Sequence, residues 1–269
     1  MRYCIEYTDD FHYFQEVDEL KIRIRKRTKT SPRDFIERYA NKRIIIEIEK
    51  VNENLIKDLC SIKKDFLDTD IVLAISEEDM EYFSLFKEEG FSVCPRNYIS
   101  NWDTLQYFLS FDVSDLYIAG TLCFELDKVK STVCQKNKDI KIRVFPNLAQ
   151  AHAEIDDLKK FFIRPEDISY YEPYVDVYEF IDQPGLNVIY RVYAINHRWI
   201  GDLNEIILGI SKEINNQCVL SQFGEIRRRC GKRCFKGHPC SVCEKIIRTA
   251  ELLEQLEIAV TPQATIDDL

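Results

Sequence analysis

The chain has 269 residues, of which 45% are hydrophobic and 12% aromatic, with eight glycines and a formal net charge of −9. That is enough apolar material for a large core and too much for a disordered chain. The acidic balance excludes a general nucleic-acid coat or a surface for acidic membranes, and no stretch approaches the roughly 20 apolar residues of a membrane span.

The amino terminus, MRYCIEYTDDFHYF, has charges where a signal peptide needs an apolar run, so a soluble, cytoplasmic protein is expected. Along the chain, short runs rich in β-branched and aromatic residues recur. They are RYCIEY (2–7), RIIIEIE (43–49), DIVLAIS (70–76), FSVC (91–94), DLYIAG (115–120), IKIRVF (140–145), KFFIR (160–164) and VDVYEF (175–180). Several are continuously apolar, as befits parallel strands buried on both faces. ELKIRIRKR differs: Leu20, Ile22 and Ile24 alternate with Lys21, Arg23 and Arg25, a period of two. This alternation predicts a half-exposed strand or hairpin near 19–27, inserted between the first barrel strand and its helix.

Helical patterns lie between the runs. Ser31-Pro32 before RDFIERYANK is an N-cap with proline at the first helical position. VNENLIKDLCSIKKDFL carries Leu55, Leu59, Ile62 and Phe66 at helical spacing, and SEEDMEYFSLFKEEG ends on Gly90. Eight strands alternating with helices predict a (βα)8 barrel of the TIM type over residues 1–185. The last two strand candidates stand too close for a full helix between them, so the closing part is where the barrel is expected to be incomplete. An open doubly wound sheet is the competing fold, but no glycine-rich turn follows RYCIEYTDD and no phosphate loop occurs. Residues 186–269 form a helical extension: 186–208 reads as helix bent near Asn196 and Gly201, and CEKIIRTAELLEQLE as a terminal amphipathic helix.

Barrel enzymes place working groups at the carboxyl ends of their strands. Those positions offer Glu6 with Tyr7, Glu47 with Glu49, Ser76, Arg96 with Asn97, Asn147 with Gln150, Arg164 with Glu166, and Glu179. Glu47 and Glu49, two apart, share one face and form an inward acid pair or a solvated one. Glu47, Glu49 and Glu179 are the candidate catalytic residues. Among the histidines, His152 is the best placed, at the start of a helix after RVFPNLAQ, while His12 and His197 lie among aromatics. No catalytic triad can be drawn.

Ten cysteines are many for a reducing compartment. Cys4, Cys60, Cys94, Cys123, Cys134 and Cys218 are scattered, most in apolar surroundings, and read as small buried hydrophobes. The other four follow Cys230-x3-Cys234-x5-Cys240-x2-Cys243, close enough to surround one ion or one cluster. Gly231, Gly237 and Pro239 shape the turns between the ligands. All-sulfur ligation selects zinc or an iron–sulfur cluster, and four protein ligands close the site, favouring a structural Zn2+ with a [4Fe-4S] cluster as the alternative. Between Glu225 and Arg248 there are eight basic and two acidic residues, a local +6 that leaves −15 for the rest of the chain. Arg227, Arg228, Arg229, Lys232 and Arg233 offset the charge of four thiolates, or else contact a nucleic acid or protein partner.

DLYIAGTLCFELDKVK, IRVFPNLAQ and FFIRPEDISYYEPYVDVYEF, with a cysteine set after the barrel, together resemble the U32 peptidase-like family over roughly residues 40–245. The resemblance implies a barrel, an iron–sulfur cluster on four cysteines, and a link to hydroxylation of RNA or quinone precursors or to collagenase-like proteolysis. In cluster-bearing members the cysteines are spread widely, whereas here they lie within 230–243, so only the four ligands carry over. The expected function is thus action on, or help in modifying, a nucleic-acid or peptide substrate at the barrel's carboxyl end. The alternative is a non-catalytic binding or assembly protein with a metal staple.

Overall fold

The computed structural model describes residues 2–24, 31–146, 148–153, 163, 165, 168–182, 185–196 and 208–210. Eight parallel strands form one sheet: β1 (Arg2–Glu6), β2 (Glu19–Ile24), β3 (Arg43–Ile48), β4 (Ile71–Ile75), β5 (Ser92–Pro95), β6 (Asp115–Tyr117), β7 (Lys141–Val144) and β9 (Val177–Phe180). They stand side by side in chain order, β9 returning to pair with β1. The remaining seam, between β5 and β6, is carried by Ser114 N–H to Val93 O (2.9 Å), Ile99 N–H to Tyr117 O (2.7 Å) and Ala119 N–H to Ile99 O (3.0 Å). The protein is therefore a nearly closed (βα)8 barrel of the TIM type, as the strand rhythm predicts.

One stave differs from expectation. The 19–24 segment is no insertion: β2 pairs in parallel with β1 and, over six residues, with β3. Nor is it half-exposed, because Glu19 and Lys21 are buried. Its polar face looks into the barrel and its apolar face onto the outer layer, so the period of two is real and both faces are covered. KFFIR is not needed as a stave. Of it only Ile163 is described, bonded through its N–H to Pro146 O. With β9 as the eighth strand, the interval of about 15 residues that looked too short for a helix disappears.

Helices α1 (Pro32–Arg38), α2 (Glu53–Asp65), α3 (Phe83–Glu88), α4 (Trp102–Leu109) and α5 (Leu126–Lys136) fill the crossovers from β2 to β7. Their starts follow from side chains that accept orphan amides: Ser31 from Asp34 N–H, Asn52 from Leu55 N–H and Asn101 from Thr104 N–H. Helix α6 (Ile168–Tyr171) precedes β9, and α7 (Leu186–Tyr190) continues as one π-helical stretch, Arg191–Asn196. Leu186, Ile189, Tyr190 and Tyr193 join the same core as Tyr3 and Phe180, so 186–196 packs on the barrel. Strand β8 (Leu148–Ala153) pairs with β10 (Leu208–Ile210) in a separate parallel ribbon. His152 thus sits in a strand, not at the helix start read from sequence.

The connection from β1 to β2 contains no helix. Rings do the covering: Phe14 packs 5.2 Å from Tyr7, 5.0 Å from Phe11 and 5.6 Å from Tyr39, with Phe11 buried. The core is two-layered. Outward-facing residues such as Ile5, Ile44, Leu73 and Phe180 meet the helices, while Cys4, Ile45, Val72, Cys94, Tyr117 and Phe145 line the interior.

After β6 the chain turns at Gly120, whose φ of +60° and missing Cβ matter together, since an added Cβ would come within 2.9 Å of Ser100 Cβ. Gly120→Ala should therefore destabilise the barrel by about 2 kcal/mol. Gly90→Ala, at φ +85° but with an added Cβ meeting only the flexible Lys63 Cε at 3.6 Å, should cost only about 1 kcal/mol, both values being read from urea titrations.

Candidate active site

Parity along the eight staves places one set of charged residues inside the barrel. Near the amino-terminal end, Arg43 holds both oxygens of Asp115 at 2.7 Å through Nη1 and Nη2, and Asp70 at 2.8 Å through Nε. Arg143, fully buried at the centre, donates to Asp115 (Nε, 2.7 Å), to Glu179 (Nη1, 3.1 Å) and, through Nη2, to Glu19. Ser114 Oγ completes Asp115 at 2.7 Å. Burial alone would raise the Asp115 carboxyl, yet Arg143 and Arg43 outweigh it and hold it well below the ordinary carboxylate range.

The network continues towards the carboxyl end. Lys21 Nζ lies 2.7 Å from Glu179 and 2.7 Å from Glu47. Burial opposes its charge, but the two glutamates reverse the effect and push the lysine up, so it stays charged. The same ammonium stands 5.0 Å from the centroid of Tyr117 and 5.9 Å from that of Phe145, two rings stacked 5.7 Å apart. Arg23 Nε then lies 3.3 Å from Glu47 and 2.9 Å from Glu6, and the Asp182 N–H donates to the other oxygen of Glu6 at 3.1 Å. Arg96, just past β5, donates Nη1 to the carbonyls of Ile48 and Glu49, each at 3.2 Å. Tyr98 packs edge-on against Phe145 at 5.1 Å and is 45% exposed at the rim.

Exposure increases along this chain of charges. The Glu179 side chain is shut in at 0%, Lys21 is at 4%, Glu6 at 9%, Glu47 at 16% and Arg23 at 26%. Glu6 and Glu47, joined through one guanidinium, are shifted in opposite directions. Burial pushes Glu6 up against the pull of Arg23, whereas for Glu47 burial is outweighed by Lys21 and the carboxyl goes down. Two carboxyls held apart in this way are the usual arrangement of an acid and a base.

Of the residues singled out from sequence, Glu47 and Glu179 come together on Lys21. Glu49 does not join them: it is exposed beyond β3, and its carbonyl is what Arg96 engages. Ser76 is buried and donates to Asp79 at 2.8 Å. The side chains of Asn147, Gln150, Arg164 and Glu166 lie outside the described residues. So do Cys218, His197, the cysteine loop with Cys230, Cys234, Cys240 and Cys243, its basic residues Arg227, Arg228, Arg229, Lys232 and Arg233, and the terminal helix. Among the described residues no group of three or more His, Cys, Asp or Glu is arranged to hold a metal ion. Cys4 and Cys94 are buried inside the barrel as read, but Cys134 is exposed. The candidate set omitted Lys21, Arg23, Arg43, Asp115 and Arg143, although the signal was there: charges of one parity on β2, β3 and β7, in step with single charges on β6 and β9.

No protein-family model matches the chain, and no curated protein is detectably similar to it in sequence. Among the described residues no helix is long and apolar enough to cross a membrane.

Arg143→Met leaves Asp115, Glu19 and Glu179 short of a buried partner and should cost about 3–5 kcal/mol in chemical denaturation. Because Asp115 is depressed in the folded state, its contribution is present above the ordinary aspartate value and fades as pH falls. Stability should therefore decline below about pH 4, and the decline should flatten in Asp115→Asn.

Proposed function

We propose that this chain is a barrel enzyme of the U32-like kind, working by general acid–base chemistry at the carboxyl end of its strands on a nucleic-acid or peptide substrate. One observation carries the reading: a single guanidinium, Arg23, lies between two carboxyls, the buried Glu6 and the partly exposed Glu47, at the end of the barrel where such folds do their chemistry. Glu6, favouring its proton, is the donor. Glu47, held ionised by Lys21, is the acceptor, and Glu179 positions Lys21 from behind without reaching solvent. In this proposal the cysteine loop holds Zn2+ as a closed staple, with a [4Fe-4S] cluster as the alternative, and its arginines and lysines offset the thiolate charge.

The second reading, a non-catalytic binding protein, draws on the filled interior, where Tyr117, Phe145 and the Lys21–Glu179 pair occupy the centre. Incubation with pooled RNA and with a peptide library, read by mass spectrometry, separates the two. A mass change made by the wild type and lowered at least about 100-fold in Glu47→Gln and in Glu6→Gln supports the enzyme. A product that both variants still make moves the chemistry away from the mouth, and no product from either pool favours the scaffold.

Metal content tests the staple. One zinc per chain in a colourless preparation is the expected result, and a brown anaerobic preparation absorbing near about 400 nm selects the cluster instead. Protein with neither metal removes the staple from the proposal.

A further inference from the structure

Arg23 is held at the mouth by two carboxylates that differ in what else holds them. Glu47 has Lys21 at 2.7 Å as well as Arg23 at 3.3 Å. Glu6 has Arg23 at 2.9 Å and, on its other oxygen, only a backbone amide. Glu6 is therefore the partner more easily given up. Protonated, it stays satisfied by the Asp182 N–H, whereas loss of Glu47 would leave the buried Lys21 with Glu179 as its single carboxylate partner.

Arg96 approaches from the other side of the same strand end. It spends Nη1 on the carbonyls of Ile48 and Glu49, and its side chain makes no other hydrogen bond or ion pair among the described residues. Its charge is felt by Glu47. Two guanidiniums thus flank the end of β3, one of them already shaped around a carboxylate. With Lys21, Arg23 and Arg96 against Glu6, Glu47 and Glu179, the mouth is balanced, so an incoming anion leaves an excess negative charge unless a proton comes with it.

We propose that the mouth takes the carboxylate of its ligand between Arg23 and Arg96 in place of the Glu6 carboxylate, and that Glu6 takes up one proton from solvent as it does so. The ligand carboxylate takes the place of Glu6 in the ion pair with the Arg23 guanidinium, and Glu6 becomes a neutral acid beside it. The groups facing Glu6 are Arg23 and Lys21 from β2, Glu47 from β3, and the backbone of Asp182 after β9. Lys21 is pinned by Glu179 and Glu47, so Glu6 is the group free to change charge. Burial already favours its neutral form. The inference rests on the mouth being the working end of the barrel, and it also supplies the donor proton that the acid–base reading needs.

The test uses acetate as the probe and the intact chain with carbon-13 in its glutamate carboxyls, followed by NMR between about pH 6 and pH 8, where acetate itself stays ionised. Saturating acetate should raise the proton affinity of Glu6 about tenfold, and acetate should bind more tightly at the lower pH. Glu6→Gln should bind acetate with equal affinity across the range, and Arg96→Gln should lose most binding while its circular dichroism is unchanged. A Glu6 titration that acetate does not move overturns the proposal in the wild type alone, whatever Glu6→Gln does. Binding unchanged in Arg96→Gln overturns the site, and sulfate binding as tightly as acetate at equal ionic strength overturns the carboxylate assignment. None of these measurements requires turnover, so a Glu47-dependent product from the pooled substrates keeps the enzyme reading even where acetate fails.

Discussion

A guanidinium with no access to water fixes this barrel. Arg143 sits at its centre and reaches Asp115, Glu19 and Glu179, contributed by three different strands. Taking such a charge out of water costs several kcal/mol, and only a full set of well-aligned acceptors offsets it. The geometry therefore tolerates little freedom. A one-residue slip of β7 would turn Arg143 into the apolar layer and bring Ile142 or Val144 inside, exchanging both faces of the strand at once. Specificity of register, more than net stability, is what a buried ion set of this kind provides.

The charges then alternate from the closed end to the open one. Asp115 answers Arg143, Arg143 answers Glu179, Glu179 answers Lys21, Lys21 answers Glu47, and Arg23 closes the sequence on Glu6. Each link is set by the one behind it, and solvent access rises from Glu179 through Lys21 and Glu47 to Arg23 before falling again at Glu6. The deep members are shut off from solvent and act as rigid supports for the more exposed ones. A mouth built this way has its first contacts held by a buried second set, the condition for well-aimed acid–base groups. The aromatic rings are part of the same design: Tyr117 lies against both Lys21 and Arg143, giving low-dielectric surroundings without withdrawing all stabilisation from the cations.

Much of this was legible in the chain, and the failures have a common physical origin. Seven of the eight staves show as apolar runs, and the cap at Ser31 lies where the Ser31-Pro32 pair puts it. The rule that half-polar strands are half-exposed failed at ELKIRI, because it assumes an apolar interior. Once Arg43, Asp115, Arg143 and Glu179 share a parity, Glu19 and Lys21 belong with them inside. Pairing Glu47 with Glu49 failed for a related reason: two positions apart gives one face, but β3 ends at Ile48 and the second carboxylate has already left the barrel. Partners such as Lys21 for Glu179, 158 residues apart, come from closure of the ring and are invisible to local spacing.

Closure also explains why Glu6 differs from its neighbours. It ends the first strand, and the strand beside it is the last, so its second oxygen is met by Asp182, a residue contributed by the chain's return. That junction is fastened again nearby. Asn187, in α7, donates to Asp10 O at 2.7 Å and accepts from His12 N–H at 2.9 Å, tying the helix after β9 to the connection after β1. The connection carries aromatic rings where a helix is usual, and these rings seal the wall behind β1. Burial of Glu6, and hence its preference for a proton, thus depends on the seam where the two ends of the barrel meet. A barrel interrupted there would separate Glu19 from Glu179, both partners of Arg143, and lose the feature that sets Glu6 apart from Glu47.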